Sequence, residues 1–342
     1  MAYTTINKSS DYFTPELYVG TGSSRTISTL NFQPDLVWIK NRGTNDRNSL
    51  FDAVRGAPNM LTSNTSGAND AQPSELTAFN TNGFTVNNAT SVNGSSANYV
   101  SWNWKANGLG SSNTDGTINS TYTSASVTSG FSIVTYTGNG TGGATVGHGL
   151  GVAPKVVWVK SLGASGDWRV YNFALGSNAS LILNGNGPAN SDVWNNTDPS
   201  STVFSISNNS DVNSSGGTYI AYCFAEKQGF SKVGKYTGNG NGTNGSFIYT
   251  GFKPTCVIYK LSSGTDNWRI IDNKRLGYNP NNAFLFPNIV QAESNLTRFE
   301  LLSNGFKLTT TDNGDNGNNQ TYIYMAFGQT LVGSNNVPAN AR

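Results

Sequence analysis

The only histidine, His148, lies in Gly147-His-Gly-Leu-Gly151. One imidazole excludes HExxH zinc sites and most multi-histidine centres, and without a GxSxG elbow it lacks the setting of a Ser-His-Asp triad. Its flanking glycines point to a turn or packing role. Two segments imitate phosphate loops. Gly138-Asn-Gly-Thr-Gly-Gly143 satisfies GxGxxG, but residues 144–151 are broken by glycines where a βαβ unit needs a helix. Gly229-Phe-Ser-Lys-Val-Gly-Lys235 is followed by Tyr236 where a P-loop places its magnesium-binding Ser or Thr. Asp312-Asn-Gly-Asp-Asn-Gly317 offers oxygens of the kind calcium takes, yet Gly314 stands where an EF-hand has its second oxygen ligand, so a turn is expected. No spacing among the 19 Asp and Glu residues marks a glycosidase pair. No catalytic, metal or cofactor residue is therefore assigned, and an enzyme is not expected. One ligand candidate remains. Trp194, in the polar stretch Asp192-Val-Trp-Asn-Asn-Thr-Asp198, could stack on a sugar ring.

Trp194 stands out because the other notable side chains fall on a repeat. Pro34-Asp-Leu-Val-Trp-Ile-Lys40, Pro154-Lys-Val-Val-Trp-Val-Lys160 and Pro254-Thr-Cys-Val-Ile-Tyr-Lys260 are three copies of one motif, and Asp52, Asn172 and Asp272 each follow the proline by 18 residues. Each copy closes on an apolar strand: Tyr99-Val-Ser-Trp-Asn-Trp104, Tyr219-Ile-Ala-Tyr-Cys-Phe224 and Tyr322-Ile-Tyr-Met-Ala-Phe327. Tyr136-Thr-Gly-Asn-Gly140 and Tyr236-Thr-Gly-Asn-Gly240 precede the second and third prolines, and Tyr18-Val-Gly-Thr-Gly22 the first. Cys223 aligns with Asn103 and Ala326, and Cys256 with Leu36 and Val156, so both are expected to be buried free thiols.

Alternation in the closing strands puts Val100, Trp102 and Trp104 on one face, with Ile220, Tyr222, Phe224 and Ile323, Met325, Phe327 as the matching sets. Short apolar runs broken by Gly and Asn-Gly predict an all-β chain of three tandem β-sandwich repeats, jelly-roll or lectin-like, of about 100 residues each. The expected division is repeat 1 with an N-terminal arm over 1–106, a Gly/Ser/Thr/Asn linker over 107–129, repeat 2 over 130–228, repeat 3 over 229–330 and a tail over 331–342. Charged residues make up 12% of the chain and the net charge is +2, which argues against nucleic-acid binding. Membrane insertion is not expected, for want of a long apolar run. Two cysteines and no signal-like N-terminus fit synthesis in a host cytoplasm.

Phe32-Gln-Pro-Asp-Leu-Val-Trp-Ile-Lys-Asn-Arg42, Leu50-Phe-Asp-Ala-Val-Arg-Gly56, Asn82-Gly-Phe84 and Ser101-Trp-Asn-Trp-Lys105 carry a resemblance that runs on to Leu331-Val-Gly-Ser-Asn-Asn-Val-Pro338. The chain resembles virion structural and tail fibre-like proteins of marine tailed bacteriophages. That resemblance implies a virion appendage, such as a tail fibre, collar or capsid decoration protein. It also implies other virion proteins as partners, a homo-oligomer on the pattern of trimeric fibres, and contact with host surface polysaccharide. The alternatives are a glycan-binding adhesin acting through Trp194 and, behind it, a polysaccharide depolymerase.

Overall fold

Short β-branched and aromatic runs, each ended by Gly, Asn or Pro, fold into strands linked by tight turns. The computed structural model describes residues 4–190, 193–275, 279 and 281–330. It is all-β, with several antiparallel sheets. The first stretch contains β1 (Phe13–Val19), β2 (Arg25–Ile27), β3 (Leu36–Asn41), β4 (Asn48–Asp52), β5 (Asn59–Thr62), β6 (Asp70–Ala71), β7 (Leu76–Asn80), β8 (Gly83–Val86), the one-turn helix α1 (Thr90–Asn93) and β9 (Asn98–Trp104). The second contains β10 (Ser120–Ser126), β11 (Phe131–Thr137), β12 (Ala144–Gly147), β13 (Val156–Ser161), β14 (Arg169–Asn172), β15 (Leu181–Ile182), β16 (Val203–Ile206), α2 (Ser210–Asn213) and β17 (Thr218–Phe224). The third contains β18 (Ser231–Thr237), β19 (Phe247–Tyr249), β20 (Lys253–Leu261), β21 (Arg269–Asp272), β22 (Asn281–Phe284), β23 (Ser294–Leu302), β24 (Gly305–Leu308), α3 (Asn313–Asn316) and β25 (Thr321–Gln329).

Three large sheets have the orders β1-β9-β3-β4-β5-β6, β10-β11-β17-β13-β14-β15 and β18-β25-β20-β21. Their companions are β2-β8-β7, β12-β16 and, with as many strands as the sheet it faces, β19-β24-β23-β22. The closing strands β9, β17 and β25 lie inside their large sheets and are buried on both faces. Tyr99, Tyr219 and Tyr322 point toward the companion sheet in each case, into separate cores with Phe84, Phe204 and Phe306. The opposite face does something else. Val100, Trp102, Trp104, Ile220, Tyr222, Phe224, Ile323, Met325 and Phe327 all enter one core shared by the three large sheets. Each large sheet is thus a middle layer, buried on both sides.

Residues 107–129, expected as a flexible or extended linker, take part in the sheets. They contain β10, which pairs antiparallel with β11, and Ile118, which bridges to Val146 and is 6% exposed. Composition suggested a tether because Ser and Thr dominate, but an edge strand needs only backbone groups and side chains small enough to lie flat. The predicted tail, 331–342, lies outside the described residues.

Candidate functional site

The recurring side chains converge where the large sheets meet. At the centre, Trp104, Phe224 and Phe327 form a triangle with ring centroids 6.3, 5.7 and 6.1 Å apart. Around it lie buried polar contacts. Tyr222 donates to Asp52 Oδ2 at 2.7 Å, and the same carboxylate is bound by Arg55 Nε at 2.5 Å. Trp102 Nε1 donates to Asp272 Oδ2 at 3.1 Å, which Arg275 Nε also binds, at 2.8 Å. The third combination is neutral throughout. Asn172 replaces the aspartate, Leu175 stands three residues on where the others have arginine, and Met325 stands where the others have Trp102 and Tyr222. Asn172 and Met325 line a cavity of about 10 Å³, close to the room one water needs.

Lys40, Lys160 and Lys260 are fully buried. Lys40 Nζ donates to Asp46 O and, at 2.8 Å, to Val290 O; Lys160 Nζ donates to Ser66 O at 3.0 Å and Ser161 O at 3.1 Å; Lys260 Nζ donates to Leu261 O and Gly264 O. Burial pushes each ammonium down to about 8. These amines are enclosed by carbonyls, so their work is structural. Indole donors make similar crossings: Trp168 Nε1 to Thr62 O and Trp268 Nε1 to Ile182 O, both 2.9 Å.

A further repeated device lies beside each closing tyrosine. Tyr99, Tyr219 and Tyr322 donate to Thr90 O, Ser210 O and Asn313 O, binding the short helices α1, α2 and α3. Six residues earlier in each case, Asn93, Asn213 and Asn316 accept from the backbone of Thr21, Asn139 and Asn239 and donate to Asn87 O, Ser207 O and Thr310 O. Sequence analysis missed these asparagines. Their constant distance from the closing tyrosine was the available signal.

The sequence candidates fall elsewhere. Trp194 is 1% exposed, with its ring 5.9 Å from that of Tyr171 in a T-shaped contact, so it is a core residue and not a surface platform for a sugar. Asn195 and Asn196, at φ 53° and 48°, turn the chain there while the preceding Val193 and Trp194 stay inside. Asp192 lies outside the described residues. His148 is buried; its Nδ1 accepts from Leu150 N and its Nε2 faces Ser200 O, and burial lowers its pKa. Asp315 is held by Arg269 Nε at 3.0 Å, Arg298 Nη1 at 2.9 Å and the Tyr259 hydroxyl at 2.7 Å, with Asp312 2.9 Å from Arg298. Guanidinium groups therefore take the oxygens that suggested calcium. Cys223 and Cys256 are buried and free, and burial pushes the Cys223 thiol up to about 12. The P-loop-like segment runs into β18, and the GxGxxG segment is the turn before β12.

Residues 8–330 match the family model described as a domain of unknown function (DUF7483). The chain belongs to this family. No curated protein matches it. In this DUF7483 chain, a polar groove of about 410 Å³ lies between β18 and the turn after β19. Glu226, Ser231, Lys232, Tyr249 and Thr250 line it, and Tyr249 is 59% exposed. Sequence reasoning passed over Tyr249, because nothing in its spacing separates it from a core tyrosine.

Proposed function

We propose that the chain is a non-catalytic structural protein of a bacteriophage virion, built as three β-sandwich modules over 1–106, 130–228 and 229–330, the second extended by β10 from the stretch before it. In this reading the modules close into one rigid ring instead of following one another as beads. The shared core carries the proposal: the three closing strands meet in the Trp104, Phe224 and Phe327 triangle, and the repeated lysines, tryptophans and aspartates support it from the edges. The buried His148, Cys223 and Cys256, the three repeated lysines and the Asp52, Asp272 and Asp315 carboxylates are all engaged in packing contacts, which supports a structural role. The resemblance to tail fibre-like proteins supplies the virion context.

The ring also alters the expected assembly. Three modules of one chain already supply the packing that a fibre obtains from three chains, so we propose that the chain is a stable unit as a monomer. Light scattering on the purified protein is expected to give the mass of one chain, 36.3 kDa. Mass spectrometry of virions purified from the encoding phage is expected to detect the chain as a stoichiometric component. Virions that lack it overturn the functional reading.

A further inference from the structure

An exposed strand edge invites pairing with another chain, and proteins blunt such edges with charge, proline or a covering segment. Several of the outer edges here follow that rule. β1 carries Pro15 and Glu16 and β2 carries Arg25, whereas the lysines of β18, Lys232 and Lys235, have stems long enough to keep their charges in solvent when a strand is added. β11 and β12 carry no charge or proline, and both are covered: β10 pairs along β11, and Ile118 bridges to Val146 of β12, with Ile118 N donating to Thr145 O at 2.9 Å. β19 has no such guard. It lies at the end of its sheet, is uncharged, and leaves Phe247 48% and Tyr249 59% exposed.

The covering segment of the second large sheet and the groove of the third occupy corresponding places. Pro154 and Pro254 align Gly149 with Tyr249, each five residues before the proline. A Cβ on Gly149 would stand 3.0 Å from Thr123 Cγ2 and 3.1 Å from Ala125 Cβ, so β10 lies directly over that turn. In the third sheet no strand lies there among the described residues, and the groove of about 410 Å³ opens instead. Tyr136 and Tyr236 likewise align Ile133 with Val233. Ile133 pairs with Ser124 of β10, whereas Val233 N donates to the Glu226 carboxylate at 2.7 Å. Glu226 thus satisfies one amide that β10 would take, and alternation along the ladder turns Lys235 N–H to the same side.

We propose that this groove receives an extended polypeptide segment from a partner chain, added antiparallel to the outer edge of β18. By analogy with Thr123, Ser124 and Ala125 of β10, the segment carries small and hydroxylated side chains where it crosses the turn at Tyr249. It displaces Glu226 from Val233 and covers Phe247 and Tyr249. This interaction is independent of the virion role, since a strand-accepting edge serves any assembly.

The test uses the full chain and a synthetic peptide of its own residues 111–126, which contains β10. Saturable binding is expected, with slower amide hydrogen exchange at Val233 and Lys235. Lys235→Pro removes an outward amide without touching the β18–β25 ladder, and it is expected to weaken binding at least tenfold. Tyr249→Gly restores the space that Gly149 provides and is expected to tighten binding several-fold; this gain keeps the test decisive should the proline variant fold poorly. Absence of binding at millimolar peptide, or unchanged exchange at Val233 and Lys235, overturns the proposal. So does a groove that binds neutral oligosaccharides, loses them in Tyr249→Gly and ignores the peptide, since that is the behaviour of a ring-stacking sugar site.

Discussion

Between the first and third large sheets, Trp102 donates to Asp272, Lys40 reaches Val290 O, and Arg42 pairs with Glu293 at 2.8 Å. Between the third and second, the corresponding Met325 lines a small cavity and, among the described residues, Lys260 bonds carbonyls of its own sheet's stretch, while Trp268 Nε1 still crosses to Ile182 O. Backbone crossings are kept at both, for Glu293 N meets Arg42 O and Ala189 N meets Ser262 O. The difference follows chain connectivity. The second and third sheets are joined by residues 225–230, and so short a tether holds them at high effective concentration whatever their side chains do. The first and third have no direct connection, so specific side-chain contacts must close the ring. Between the first and second, joined by the longer stretch 105–119, polar crossings return as Tyr222 to Asp52 and Lys160 to Ser66 O.

The largest test of this contrast is Arg275→Leu, which leaves Asp272 buried with its guanidinium removed and is expected to destabilise the protein by about 3–5 kcal/mol. Adding Asp272→Asn converts the site to the Asn172 and Leu175 chemistry and is expected to recover most of that loss in denaturant unfolding. A double variant no more stable than the single one breaks the comparison.

The buried lysines should act alike at all three junctions. Their folded pKa, about 8, lies below the usual lysine value of 10.5, so above pH 8 the folded chain releases protons that the unfolded chain keeps. Stability is expected to rise from pH 8 toward 10, by on the order of 1 kcal/mol per lysine after allowance for solvent screening. Near pH 10 the trend reverses, because Tyr18, Tyr136 and Tyr236 have pKa values raised by burial and ionise first in the unfolded chain. Thermal melts across this range check the sign, and Lys40→Met, Lys160→Met and Lys260→Met should each flatten about a third of the rise.

Tyr222→Met gives the junction of the first and second sheets the side chain found between the second and third, and removes a hydrogen bond to a charged acceptor that keeps Arg55. A loss of about 1–2 kcal/mol is expected. Met325→Tyr is the smallest change: a ring in place of the cavity beside Asn172 is expected to raise stability by up to about 1 kcal/mol, read as an increase in Tm. A fall in Tm would mean that the cavity is too small for a ring and that Met325 is already the better fit.

Much of the strand framework was legible because alternation in 99–104, 219–224 and 322–327 reports two different faces, and because Gly and Asn-Gly mark the turns. The identity of what each face meets was not. Val100, Trp102 and Trp104 read as the interior of one sandwich, yet they pack against strands more than 100 residues away. The same limit misled the reading of Trp194, whose polar neighbours suggested a surface loop although two left-handed asparagines turn them outward and leave the ring inside. In 107–129, composition reported solubility while the backbone supplied a strand.

By itself, the sequence determined the β class, the recurring motif, the tyrosine and lysine positions, and the absence of a recognisable catalytic constellation. These depend on local period and spacing, which survive in one dimension. Only the tertiary structure decided that the three closing strands share a core, that Asp52 and Asp272 each meet a ring 170 residues away, and that the uncharged β19 leaves Phe247 and Tyr249 exposed. Those outcomes depend on which faces find one another when the chain closes, and burial of large rings on both sides of a sheet rewards that closure without leaving a periodic mark.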